Sequence, residues 1–249
     1  MDIRLIDFED EDFEFFAEAF HFEDSIGELY TLSLVARCLS DERPASDFAG
    51  VLIEVDLDDD GPFGKLHGVI MSARKPIGGS EGGGSLRGRY ELTIRPPHAV
   101  LTQTRHNRIF QQRSVVDIVE DIFQDYPILP TPNTEHLRAR DEYPEIEFKT
   151  QYAESDYDFM VRVLAEWGIL WFFRHSEDAS EFVLIDQTNT AVEVQAFDVV
   201  FNAESGGFGS APAVTSAREA AAVRPGVTTF RGYDQERPDR RPEGAEEVA

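Results

Sequence analysis

Apolar residues recur along this chain at two spacings, and the change from one to the other divides it. Up to about residue 95 the spacing is two. Phe13–Phe22 and Tyr30–Leu39 read as strands around the turn Asp24–Gly27. Val51–Leu57 alternates apolar with acidic residues, as a half-buried strand does. Asp58–Pro62 is a turn. Leu66–Ala73 and Tyr90–Arg95 read as a hairpin pair joined by the glycine-rich stretch Gly78–Ser85. Many short strands without long intervening helices predict a barrel or sandwich.

Past Pro96-Pro97 the pattern changes. His98–His106 reads as a short helix and Arg108–Gln111 as a short strand. Ser114 and Asp117 then cap an amphipathic helix whose buried face holds Val115, Ile118, Val119 and Ile122. Tyr126-Pro127 closes it, because proline disfavours helix in the residue before it. Residues 128–144 form a connection and Glu145–Tyr152 the next strand. Ser155 and Asp158 make a start like a capping box, although Asp is shorter than the usual Glu or Gln. Phe159, Met160, Val163, Leu164 and Trp167 follow at helical spacing. Gly168 stands where a helix ends with φ above zero. Ile169–Phe173, carrying Trp171, Phe172 and Phe173, is short and apolar enough for a buried strand, with Phe182–Ile185 as its partner across Ser176–Ser180. Trp167 and Trp171 are expected to be buried between helix and sheet. Val194–Phe201, the loop Ser205–Gly207 and a last strand Val227–Tyr233 complete the chain, with 237–249 a mobile acidic tail. No internal repeat stands out.

Composition narrows the function classes. The chain has 249 residues, 41% of them hydrophobic, which is globular and enough for one large or two modest domains. No apolar run approaches the ~18 residues of a membrane span. The N-terminal Met1–Arg4, followed by acidic residues, is no signal peptide, so a cytoplasmic protein is expected. A single cysteine, Cys38, excludes an internal disulfide and reads as a buried thiol.

The formal charge is −25, unevenly spread. Residues 1–60 hold 3 basic and 19 acidic side chains. Residues 86–113 hold Arg87, Arg89, Arg95, Arg105, Arg108 and Arg113 against Glu91 alone. Nucleic acid is not an expected partner of so acidic a chain. The arginines are candidates for a subunit interface facing acidic surface on a neighbour, or else a solvated sheet face.

Candidate chemistry is sparse. The histidines at 21, 67, 98, 106, 136 and 175 show no metal-binding spacing, so no metal is expected. Gly78–Ser85 lacks the Lys and Ser/Thr of a phosphate loop, and no Gly-x-Ser-x-Gly elbow occurs. No cofactor and no catalytic residue is expected. The acidic residues are too numerous for any one carboxylate pair to point to glycoside hydrolysis.

Five segments, in order, resemble the N-terminal hub region of the type VI secretion VgrG spike family, related to the tail hub of contractile-tailed phages. They are Phe63–Ile70, Tyr90–Pro96, Arg108–Gln111 with Ser114–Val119, Gln151–Phe159 with Gly168–His175, and Val223–Asp234. The resemblance covers most of the chain. It implies a mainly β fold with a few short helices, built as two related β-barrel-like subdomains of the phage tail hub type. Their expected bounds are 1–105 and 106–236, which interleave if the last strands return to the first barrel.

The resemblance further implies a structural hub without chemistry of its own. Three chains would present six similar barrels, joining a six-fold tube to a three-fold spike. The implied partners are two further copies, the tube protein ring, and a spike or needle segment and effector cargo that can reside on other chains. Assembly would be cytoplasmic, with export alongside the spike. Full spikes continue into an oligonucleotide/oligosaccharide-binding-like fold and a β-helical needle that these 249 residues do not include. Membrane insertion by this chain is therefore not expected, whereas the hub role is. The alternative is an orphan hub acting as a cargo adaptor.

Overall fold

The computed structural model describes residues 2–6, 15–38, 43–56, 65–76, 88–138, 142–176, 178–186, 200–201, 213–214, 223, 227–233, 237–239 and 243–247. The turn Asp58–Pro62, the stretch Gly78–Ser85, the loop Ser205–Gly207 and Arg87 lie outside them. Residues 1–194 and 195–249 form two units.

The first unit opens with a six-stranded antiparallel sheet. Its strands are β1 (Asp2–Ile6), β2 (Phe15–Glu23), β3 (Thr31–Cys38), β4 (Leu52–Asp56), β5 (Lys65–Arg74) and β6 (Arg89–Arg95), in the order β1-β4-β5-β6-β3-β2. The sheet curls into a half-barrel whose edge strands β1 and β2 approach each other. The alternation that predicts these strands also orients them. Leu32, Leu34, Ala36 and Cys38 of β3 face inward beside Leu92 and Ile94 of β6 and Ile53 and Val55 of β4. Cys38, the single cysteine, is a buried thiol. Gly88, at φ +67°, accepts at its carbonyl from Cys38 N–H at 2.7 Å. A Cβ there would stand 2.2 Å from Cys38 O, so only glycine fits.

A 3-10 turn, Pro97–Thr102, follows and buries His98, Ala99 and Leu101. The helix expected over His98–His106 stops there, because Arg105 and His106 are recruited into strand pairing. β7 (Arg105–Arg113) and β9 (Ile146–Ser155) form a two-stranded antiparallel ribbon, each longer than its sequence pattern suggests. Between them lies α1 (Val115–Gln124), started by a full capping box. Ser114 Oγ accepts from Asp117 N–H, and the Asp117 carboxylate accepts from Ser114 N–H. Its four expected core positions are buried, together with Val116 and Phe123.

Within the expected connection 128–144 runs an extra strand, β8 (Asn133–His136), parallel to the later strand Ser180–Ile185. α2 (Asp156–Glu166) starts at Ser155, whose hydroxyl accepts from Asp158 N–H at 3.0 Å and donates to the Asp158 carboxylate at 2.7 Å. Gly168 ends the helix at φ +67°. β10 (Leu170–His175) and β11 (Ser180–Ile185) then pair as a hairpin. One hydrophobic core runs from Ile3 to Leu184, across residue 105.

In the second unit, β12 (Val200–Phe201) pairs in parallel with β13 (Ala213–Val214). β14 (Val227–Arg231) pairs antiparallel with β15 (Glu243–Glu247). The expected last strand thus has a partner, drawn from inside the stretch 237–249.

Candidate functional site

The segment Gln151–His175 supplies the densest side-chain assembly in the first unit. Strand alternation puts Trp171 and Phe173 inside, while Phe172 is only partly covered. Trp171 stacks on Phe182, ring centres 5.0 Å apart, and Phe173 meets Tyr30 edge-on at 4.9 Å. Phe159, Val163 and Leu164 of α2 are fully buried. Trp167, expected to be buried, is half-covered instead. It caps the C-terminus of α2, where the chain is already turning away, and Gly168 beside it is exposed.

Among these rings sits His98, fully buried. It stacks on Phe182 at 5.0 Å and lies 5.1 Å from Phe123 and 5.2 Å from Phe173. Neither ring nitrogen has a hydrogen-bond partner among the described residues. Burial away from any compensating group depresses its pKa from 6.5 to about 3, so the imidazole is neutral.

A polar knot ties the ribbon to α2. Asp156, the first helical residue, is buried, and its carboxylate gathers four partners. Gln151 Nε2 donates at 2.7 Å, Tyr126 Oη at 2.5 Å and His106 Nδ1 at 2.9 Å, and the Arg108 Nη2 lies 2.8 Å away. Thr104 bonds to Tyr126 in turn at 2.6 Å, and Arg108 Nε donates to Gln151 Oε1 at 2.7 Å. Burial pushes the Asp156 pKa up, but the hydrogen bonds from Tyr126, Gln151 and His106 and the Arg108 charge outweigh it and hold the group below its ordinary value. The helix N-terminus is also a place that favours negative charge. A second knot holds Asp186, which accepts from Arg138 Nε at 2.5 Å and Tyr143 Oη at 2.7 Å.

One arrangement has the residue types of a nucleophilic triad. Ser180 Oγ lies 2.8 Å from His175 Nδ1, and His175 Nε2 lies 3.5 Å from Asp24. Ser180 is buried, however, and its oxygen also accepts from His67 N–H at 3.0 Å, while Tyr30 donates to His67 O. The hydroxyl is thus spent on holding β5 to the β10–β11 hairpin, rather than aimed at a cleft where a carbonyl could bind. Among the described residues no group of His, Cys, Asp and Glu is placed to hold a metal ion.

The candidate interface arginines scatter. Arg89 pairs with Glu18 at 3.1 Å, Arg113 with Asp121 at 3.1 Å, and Arg108 with Asp125 and Asp156. Three of the six are therefore neutralised inside the chain, Arg108 as the centre of a knot. Arg95 lines a cleft of about 340 Å³ with Glu23, Glu28 and Tyr157, its Nε buried without a hydrogen-bond partner among the described residues. Arg105 is exposed. Sequence reasoning missed the Asp156 knot, whose members are up to 52 residues apart, from Thr104 to Asp156. The one local signal was Gln151–Asp156, close to the helix start.

The sequence profile of the phage tail baseplate hub (GPD) family matches residues 23–249. The type VI secretion system spike protein VgrG4b of Pseudomonas aeruginosa is 34% identical over 173 residues, 70% of this chain and 20% of that protein. VgrG1a of the same organism is 27% identical over 239 residues, 91% of this chain and 34% of its own length. The chain thus spans 20% and 34% of the length of these two relatives. Among solved structures, the E. coli c3393 protein is a component of the type VI secretion system with structural similarity to the T4 bacteriophage tail proteins gp27 and gp5. It superposes with a TM-score of 0.63 at 20% identity, over 76% of this chain and 50% of its own. A tail protein from Neisseria meningitidis MC58 gives 0.51 at 14% identity, over 82% and 61%. At these identities the likeness is one of fold.

Proposed function

The chain belongs to the phage tail baseplate hub (GPD) family, and on that footing we propose that it is the structural hub of a contractile injection machine of the type VI secretion kind. Three copies would join a six-fold tube to a three-fold spike. The match over residues 23–249, with a mainly β fold like that of a type VI secretion component, carries this reading. The side chains support it. Buried polar groups here tie strand to helix in Asp156–Arg108 and strand to strand in Ser180–His67, and suit a part that must transmit force without deforming. The partners under this reading are two further copies, a tube ring, and a spike segment with effector cargo. The chain would assemble in the cytoplasm and leave with the spike, itself performing no chemistry.

Native mass spectrometry of the purified chain tests the reading. A trimer is the expected mass, and addition of tube protein should give a larger species. A strict monomer at all concentrations that binds a cargo protein tightly would instead make the chain an adaptor.

A further inference from the structure

The β7–β9 ribbon has one face turned to α1 and α2 and one turned away. Arg108, Phe110 and Gln151 lie on the inward face, with Phe110 stacked on Phe159 at 5.4 Å. The outward face carries alternate residues from Arg105 to Gln111 on β7 and from Phe148 to Tyr152 on β9. The pairs Ile109↔Thr150, Gln111↔Phe148 and Arg113↔Ile146 fix this register. A bulge in β9 opposite Asn107, where Ala153 at φ +51° donates its N–H to Asn107 Oδ1 at 2.7 Å, ends this alternation just after Tyr152.

This face is apolar in its middle and basic at its Arg105 end. Ile109 and Phe148 are 61% exposed and Tyr152 78%. Arg105 is exposed and has no ion-pair partner among the described residues. No position on the face is acidic, in a chain where 48 of 249 residues are Asp or Glu. Among the described residues the two strands pair only with each other, so both ribbon edges also keep free backbone groups. A two-stranded ribbon with an uncovered apolar face is marginal in water.

We propose that a second copy of this chain covers the outward face of the ribbon, setting acidic surface against Arg105. The charge distribution identifies the occupant. A copy carries a net charge of −25, concentrated in residues 1–60, and the β2–β3 connection exposes Glu23, Asp24 and Glu28. The contact is heterologous, basic-apolar patch to acidic patch, and such contacts close into rings when the rotation matches. Exposed aromatic and arginine residues are the types that anchor interfaces. The inference rests on the hub reading for the closed ring, but the face itself is assigned from this chain's own geometry.

The test compares the wild-type chain with the double variant Phe148→Ser/Tyr152→Ser and with Arg105→Glu. Sedimentation velocity over a dilution series reads association, and thermal melts read folding. The double variant is expected to weaken self-association at least tenfold. Arg105→Glu should weaken it severalfold, and less so in high salt. Melting midpoints should hold within a few degrees, because the altered side chains are exposed. If the wild type associates and both variants associate equally well, this assignment fails while the hub reading stands. A wild-type monomer at every concentration sinks both. Should the double variant misfold, Arg105→Glu alone decides between them.

Discussion

The imidazole of His98 lies almost parallel to the ring of Phe182, 21° from coplanar with centroids 5.0 Å apart, and neither imidazole nitrogen meets a polar partner among the described residues. The neutral form is therefore the only one this site accepts. The unfolded chain takes up a proton at His98 near 6.5, and the folded chain only near 3. Below 6.5 the unfolded state binds more protons, so stability falls as pH drops from 6.5 towards 3. At pH 5 the loss is about 2 kcal/mol, from ~1.4 kcal/mol per pH step. His98→Phe keeps the stack and removes the titrating group. It should flatten the dependence between pH 6.5 and 4.5 in denaturant melts, where most carboxylates remain ionised. Equal slopes in wild type and variant would show that His98 is not the group responsible.

Asp156 supplies a second test, because its charge is buried and paired. Asp156→Ala strips the carboxylate from Arg108 Nη2 and from the buried amide of Gln151, leaving Arg108 only its more exposed partner Asp125. Removing one partner of such a pair costs about 3–5 kcal/mol. Glu18→Ala, which breaks the half-exposed pairs to Arg37 and Arg89, should cost ~1 kcal/mol or less. The ordering of the two in urea melts is the readout. Similar losses would mean that the knot at Asp156 is no stronger than a surface pair.

Much of the fold was legible because local pattern and tertiary role coincide. β3 and β6 alternate in sequence because they are half-buried in the sheet, and Ser114–Asp117 starts a helix by bonds that span three residues. β8 was not legible. Asn133–His136 has no apolar alternation, and its strand conformation comes from the backbone of β11 beside it. The arginines misled for a related reason. Clustered charge along a sequence says that partners are needed but not where they are, and Asp125, Asp121 and Glu18 of the same chain meet three of them. Trp167 and Trp171 look alike in the sequence. Only the strand alternation after Gly168 separates the half-covered ring from the buried one.

That difference is measurable. Trp171→Ala removes a ring stacked on Phe182 in the core and should cost about 3–5 kcal/mol. Trp167→Ala removes a ring already half in water and should cost about half as much or less. Chemical denaturation of both variants would show the ranking. A larger loss at Trp167 would mean that the end of α2 is more deeply covered than its exposure implies.

Two glycines share φ +67° and differ in their surroundings. At Gly168 an added Cβ meets nothing within 4 Å, so Gly168→Ala carries only the backbone cost of the left-handed conformation, about 1–2 kcal/mol. At Gly88 the same Cβ would lie 2.2 Å from Cys38 O and 3.6 Å from Cys38 N. The contact is with backbone, so no rotamer change relieves it. Relief requires β3 and the start of β6 to separate, at the point where Cys38 N–H bonds to Gly88 O. Gly88→Ala should therefore cost several kcal/mol, well beyond the typical ~1 kcal/mol of a point substitution. It should also raise hydrogen exchange at Cys38 first, since that amide loses its acceptor before the rest of the sheet opens. Paired exchange and melting experiments on the two variants decide the matter. If Gly88→Ala is as mild as Gly168→Ala and leaves the Cys38 amide protected, the close approach of the two strands is not what selects glycine there.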